Sequence, residues 1–223
     1  MNTAIIVAAG SGRRFESEIP KQFLSIFGKP VLIHTLEKFE ACGEIAQIVL
    51  VLAADQIEAF QSISLDHSLT KLVKTVAGGN TRARSVFGGL QAADKNSQIV
   101  VVHDGARPLV STDEIAATIR IAEQTGAACL VAPVTDTIKQ VNGSEIIGTL
   151  DRNNLRRALT PQAFRYEILQ NAFAASDLSD KVTDECFLVE KLGHRITFVE
   201  GSARNIKVTY PDDLILAEAF LRP

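Results

Sequence analysis

The chain has 223 residues, of which 46% are hydrophobic and 22% charged, an ordinary globular composition for one large α/β domain or a domain with an appendage. Its formal charge of −3 argues against a broad nucleic-acid surface, so any affinity for phosphate has to be local. No run approaches the roughly 18 apolar residues of a membrane span, and Met1-Asn2-Thr3 leads into an apolar stretch without the basic flank of a signal peptide, which makes the cytoplasm the expected address.

Apolar runs alternate with amphipathic segments, the pattern of an α/β fold with a mostly parallel twisted sheet flanked by helices. In chain order the spacing predicts a strand over 4–8, a helix near 30–41, a strand over 47–52, a helix near 55–63 and a strand over 72–76. A helix near 81–93, a strand over 99–103, a helix near 111–125 and a strand over 128–133 follow. Consecutive apolar residues, as in Ile99-Val100-Val101-Val102, mark strands covered on both faces. Ser111-Thr112-Asp113-Glu114 has capping-box spacing, and Ile115, Ile119 and Ala122 repeat behind it on one face.

From Thr135 to Leu150 the rhythm breaks: Asn142-Gly143 sits between two β-prone runs, a strong hairpin signal. A hairpin between βα units has no place in a simple doubly wound sheet, so residues 135–160 are expected to form a β-arm leaving a single domain over 1–223. An edge hairpin within the same sheet is the alternative. The periodicity assigns no element between this arm and a last strand over 195–200. Pro211 then opens a helix with Asp212 and Asp213 in its first turn and Leu214, Ala217 and Leu221 down one side. Cys42, Cys129 and Cys186 are far apart, without zinc-ligand spacing, and read as reduced, mostly buried thiols.

The first strand runs into Ala8-Ala9-Gly10-Ser11-Gly12-Arg13-Arg14-Phe15. A glycine loop at the carboxyl end of such a strand lets backbone N–H groups approach an anion closely. A dinucleotide fingerprint needs a third glycine where Phe15 stands and an early acidic residue after the second strand, and a Walker loop needs Gly-Lys-Ser/Thr; the chain has none of these. Positive charge follows instead, at Arg13, Arg14 and Lys21, as a phosphoryl or nucleotidyl transfer requires.

Ala8 to Arg14 together with Pro20-Lys21-Gln22-Phe23 resembles the opening of the 2-C-methyl-D-erythritol 4-phosphate cytidylyltransferases of the non-mevalonate isoprenoid pathway. The resemblance continues through Gly78-Gly79-Asn80-Thr81-Arg82-Ala83-Arg84-Ser85-Val86, His103-Asp104-Gly105-Ala106-Arg107-Pro108 and Ala132 to Lys139. It extends over Asp151-Arg152-Asn153, Ala158-Leu159-Thr160-Pro161-Gln162, Thr183-Asp184-Glu185 and Asn205-Ile206-Lys207-Val208-Thr209.

The resemblance implies a Rossmann-like fold and transfer of CMP from CTP to the phosphate of a small polyol phosphate. By it, CTP is held by Ala8, Ala9, Gly10, Ser11, Gly12, Gly79, Asn80, Ser85 and Asp104, while Arg14 and Lys21 are catalytic, stabilising charge on the α-phosphate. Asp104, Arg107, Thr137, Arg152, Thr160 and Lys207 are implied to surround the substrate. Mg²⁺ is expected to be held mainly by the triphosphate, with no protein side chain assigned to it. A homodimer through the 135–160 arm, with shared sites, is also implied. His103 beside Asp104 reads as a packed structural residue. A ribitol-5-phosphate cytidylyltransferase and a non-catalytic nucleotide-binding protein are the alternatives; the stretch Asp151 to Gln162 and the presence of both Arg14 and Lys21 speak against them in turn.

Overall fold

The computed structural model describes residues 1–10, 15, 19–178 and 182–222. The chain runs through β1 (Asn2–Ala8), a small hairpin of β2 (Ser25–Ile26) and β3 (Lys29–Pro30), α1 (Val31–Ala41), β4 (Gln47–Leu52) and α2 (Ile57–Ser64). β5 (Leu72–Ala77), α3 (Arg82–Ala92), β6 (Ile99–Asp104), α4 (Thr112–Thr125) and β7 (Ala127–Pro133) continue the alternation. Then come β8 (Ile138–Asn142), β9 (Glu145–Leu150), β10 (Arg156–Arg165), α5 (Tyr166–Ala174), α6 (Glu185–Lys191), β11 (Thr197–Glu200) and α7 (Pro211–Leu221). Where an element was expected, its ends fall within a residue or two of the expectation.

Seven strands form one sheet in the order β11-β7-β10-β6-β1-β4-β5. Only β10 runs antiparallel to its neighbours, β6 and β7. Side chains alternate across each strand: Ala4, Ile6 and Ala8 of β1 pack with residues of α1, α2 and α4, while Ile5 packs with residues of α3, α5 and α6. Ile99 to Val102 are fully buried, as their unbroken apolar run requires. Each large side chain buried this way contributes about 1.5–3 kcal/mol, which is what holds three layers together.

The predicted cap of α4 is present, with Ser111 Oγ accepting from Glu114 N at 3.1 Å and Glu114 Oε2 accepting from Ser111 N at 2.8 Å. Behind it Ile115, Ile119 and Ala122 are buried. α7 lays Ala217 over Phe15, Ile26, Val31, Ala106 and Val208, beside the end of β6.

β10 was not anticipated, and it corrects the extent of the arm. β8 and β9 pair only with each other and turn at Gly143, whose φ is +56°, but residues 156–160 belong to the central sheet as the first half of β10. Pro161, in the middle of that segment, has no N–H for a ladder and argues against a central strand. The structure resolves the conflict by breaking the pairing with β7 between Ala158 and Gln162, where Pro161 falls.

The strand order also locates a crevice. The chain moves from β1 to β4 and β5 on one side, then returns to place β6 on the other side of β1. Ligands of open α/β sheets bind outside the carboxyl ends of the strands at such a reversal, here beyond Ala8 and Asp104.

Candidate functional site

The Gly78–Gly79 turn meets the segment that leaves β1, Ala9, at one end of this crevice. Gly78 N donates to Leu52 O at 2.7 Å, continuing the ladder past β5. A Cβ on Gly78 would collide with Ala9 Cβ and lie 2.8 Å from Ser85 Oγ, so only glycine lets this turn touch Ala9. Ser85 Oγ accepts from Gly79 N at 3.1 Å and donates to Thr81 O at 2.9 Å, which fixes the turn on the first turn of α3. Thr81 caps that helix by accepting from Arg84 N. Asn80 is exposed at the tip, and Ala8 O accepts from Gln22 Nε2 at 3.0 Å. Ser11, Gly12 and Arg14 lie outside the described residues.

At the end of β6 the Asp104 carboxylate is ringed by cations. Arg82 Nε lies 3.3 Å from Oδ1, while Arg107 Nε and Lys207 Nζ lie 3.3 and 3.0 Å from Oδ2. Burial opposes the charged carboxylate, but Arg82, Lys207 and Arg107 together hold it well below the usual carboxylate range. One such contact is worth about 5 kcal/mol gross at an effective dielectric constant near 20. Desolvation costs several kcal/mol per ion, so a buried carboxylate needs more than one partner. Arg82 also reaches Glu185, whose Oε1 is 2.7 Å from Nη1 and whose side chain is fully buried. Burial works against the Arg82 charge, and Glu185 and Asp104 outweigh it to keep the guanidinium protonated.

His103 lies behind Asp104, with no solvent exposure, its ring 4.9 Å from that of Phe39. Its Nε2 is 3.2 Å from Arg107 O, a group that can only accept, so Nε2 carries the proton. The bare Nδ1 then accepts from Thr160 Oγ1 at 3.0 Å, and Thr160 Oγ1 accepts from Asp104 N at 3.1 Å. Burial pushes the His103 pKa down to about 3, so the imidazole is neutral and structural, as expected from the sequence. Its work is to orient Thr160 and the loop after β6.

A strap from Asn205 to Val208 closes the group. Val208 N donates to Ala106 O at 2.8 Å, Arg107 Nη1 donates to Asn205 O at 2.8 Å, and Asn205 Nδ2 donates to Thr160 O at 2.9 Å. Lys21, on the short 3-10 turn Lys21–Phe23, donates from Nζ to Val208 O at 2.8 Å. Lys21, Asp104, Arg107, Thr160 and Lys207 are thereby gathered from distant parts of the chain. Thr137 and Arg152 are not: both are exposed on or beside the β8–β9 arm, where Arg152 Nη1 donates to Thr135 O at 2.6 Å.

Sequence reasoning passed over Arg82, Glu185, Gln22 and Asn205 as site residues. Each stood inside a quoted motif, but a guanidinium between two buried carboxylates becomes visible only when α3, β6 and α6 are packed. No helix among the described residues is long and apolar enough to cross a membrane.

The family model described as IspD: 2-C-methyl-D-erythritol 4-phosphate cytidylyltransferase matches residues 2–223. The chain is 42% identical over 220 residues to the Bacillus velezensis 2-C-methyl-D-erythritol 4-phosphate cytidylyltransferase, covering 98% of this chain and 94% of that one. It is 43% identical over 222 residues to a bifunctional enzyme IspD/IspF of Desulfotalea psychrophila, covering 99% of this chain and spanning 57% of that longer protein. The solved 4-diphosphocytidyl-2C-methyl-D-erythritol synthase of Anaerococcus prevotii superposes with a TM-score of 0.87 at 31% identity, covering 100% of this chain and 96% of that one. Matched over nearly its whole length, and with the crevice and its cation-ringed carboxylate in place, the chain belongs to the 2-C-methyl-D-erythritol 4-phosphate cytidylyltransferase family.

Proposed function

We propose that the protein transfers CMP from CTP to 2-C-methyl-D-erythritol 4-phosphate, giving 4-diphosphocytidyl-2-C-methyl-D-erythritol and pyrophosphate. The observation that carries this reading is the placing of the Gly78–Gly79 turn and the Ala8–Ala9 end of β1 beside Asp104, Arg107, Thr160 and Lys207. CTP lies against Ala8 to Gly12 and the Gly79–Asn80 turn with Ser85. The polyol phosphate lies against Asp104, Arg107, Thr160 and Lys207; of the two ligands implied for Asp104, this is the one assigned to its carboxylate, whose Oδ2 is shared with Arg107 and Lys207.

A phosphate oxygen of the substrate attacks the α-phosphorus in line, the bond from that phosphorus to the bridging oxygen breaks, and its electron pair leaves with pyrophosphate. No proton transfer to a protein base is needed, which agrees with the neutral, buried His103. Arg14 and Lys21 stabilise charge on the α-phosphate; the Lys21 contact with Val208 O fixes where that ammonium sits. The charged Asp104 accepts from hydroxyl groups, and Arg107 and Lys207 face the phosphate. Mg²⁺ held by the triphosphate would neutralise part of its charge. Asp104, the carboxylate at hand, is already committed to three cations, which supports the triphosphate as the metal's main holder.

The arm supports a homodimer with shared sites. Val141, Ile146 and Ile147 are 60%, 66% and 56% exposed, an apolar surface that a second copy would cover. Thr137 and Arg152 on or beside this arm then complete the site of the opposing subunit. Residues 1–223 act as a single nucleotidyltransferase domain, and the three free thiols suit a reducing cytoplasm.

The test is pyrophosphate release from CTP and Mg²⁺, with methylerythritol 4-phosphate and ribitol 5-phosphate assayed in parallel. Release with the methylerythritol substrate alone is expected. Release with ribitol phosphate alone would move the substrate assignment, and silence with both would refute the activity.

A further inference from the structure

We propose that Arg82 and Glu185 are a positioning pair that reserves one oxygen of Asp104 and so sets this carboxylate for the polyol phosphate; the proposal rests on the function argued above. Among the described residues Arg107 and Lys207 both hold Oδ2, and Arg82 is the cation on Oδ1. The rotation of the carboxylate plane is therefore set by Arg82. Its guanidinium is planar, with donors on two edges, and it uses both: Nε toward Asp104 and Nη1 toward Glu185.

Glu185 is itself fixed from behind. It is the first residue of α6, whose cap Asp184 accepts from Phe187 N at 2.9 Å and from Gln162 Nε2 at 2.9 Å. Gln162, on β10, returns its Oε1 to Cys186 N at 3.2 Å. The Glu185 carboxylate is thus referenced to the central sheet rather than to the crevice. It is fully buried and, among the described residues, its Oε2 has no hydrogen-bond partner, an arrangement that costs stability and adds no apolar packing.

What it supplies is competition. A crevice that takes a triphosphate and a phosphate offers strong anions to any nearby guanidinium. An Arg82 paired with Asp104 alone could swing to such an anion and release Oδ1. With Glu185 gripping its far edge, Arg82 stays where Asp104 needs it. Arg82 and Glu185 act through Asp104 and need no contact with the reacting atoms.

Glu185→Gln keeps the shape, retains an oxygen for Arg82 and removes the charge. We expect the KM for the polyol phosphate to rise about tenfold, the scale on which losing an outer partner of a site residue is felt. The KM for CTP and kcat should change by less than about twofold, because uniform binding of one substrate is what is lost. Arg82→Lys, which keeps the charge but cannot span both carboxylates, should show the same split. The double variant should be no worse than Arg82→Lys alone. A folded Glu185→Gln protein with both KM values unchanged would overturn the proposal, and so would a parallel rise in both. A merely structural Glu185 would lower the unfolding temperature and the active fraction and leave both KM values alone. If Glu185→Gln does not fold, the Arg82→Lys split decides. Wild-type protein assayed alongside shows separately whether the substrate assignment itself holds.

Discussion

Lowering the pH should destabilise this protein through His103, by an amount that the structure sets. The buried ring has a folded pKa of about 3 against an ordinary value of 6.5. Because folding depresses the pKa of a base, the unfolded chain binds the proton more readily. The stability from the neutral ring is complete above pH 6.5 and is lost as pH falls toward 3. Each unit in that window is worth about 1.4 kcal/mol, so moving from pH 7.5 to pH 5.0 removes about 2 kcal/mol. The assay is urea unfolding at both pH values for the wild type and for His103→Gln, which still offers a donor to Arg107 O but does not titrate. His34 and the carboxylates titrate in both proteins, so the difference between the two curves isolates His103. A difference shrinking by about 2 kcal/mol supports the reasoning, and a difference that stays flat refutes it. The same result bears on chemistry, since a group titrating near 3 cannot shape an activity profile around neutrality.

Lys21→Ala should lower kcat by roughly 100- to 1,000-fold with the fold intact by circular dichroism, on the scale of one removed transition-state donor; near-normal turnover would remove Lys21 from the chemistry. Gly78→Ala pushes a methyl against Ala9 Cβ and Ser85 Oγ, so the Gly78–Gly79 turn must part from Ala9. CTP binding by calorimetry should weaken at least about tenfold while the polyol phosphate site is spared, and unchanged CTP affinity would count against the turn as a nucleotide cradle. Mixed Arg14→Ala and Arg152→Ala proteins, each inactive alone, should recover activity after subunit exchange if the arm completes the opposite site; no recovery after proven exchange would exclude sharing.

The parts of the fold that could be read from the chain are those decided locally. Ser111 and Glu114 cap α4 through partners three residues apart, and Ile99 to Val102 declare a strand buried on both faces by their own apolarity. β10 was hidden because Pro161 is a poor central-strand residue, tolerable only where the pairing with β7 lapses. The candidate site divides the same way. Asp104 announces itself at the end of a buried strand, and Lys207 and Thr160 came through resemblance. Glu185 carries no local sign of its role, because what makes it a partner of Arg82 is the approach of α6 to α3, which joins residues more than a hundred positions apart in sequence.

The strap from Asn205 to Val208 has a consequence for the newborn chain. The strands of the described residues all precede it in sequence, so the sheet can finish pairing before Lys21, Arg107 and Thr160 gain their contacts with the strap. Contacts of such long range form late, since the closing of the intervening loop opposes them. A translation product cut after Glu200 would have every strand described above and none of the strap's contacts to its crevice. Competence of this crevice therefore follows the sheet: the strap comes after architecture.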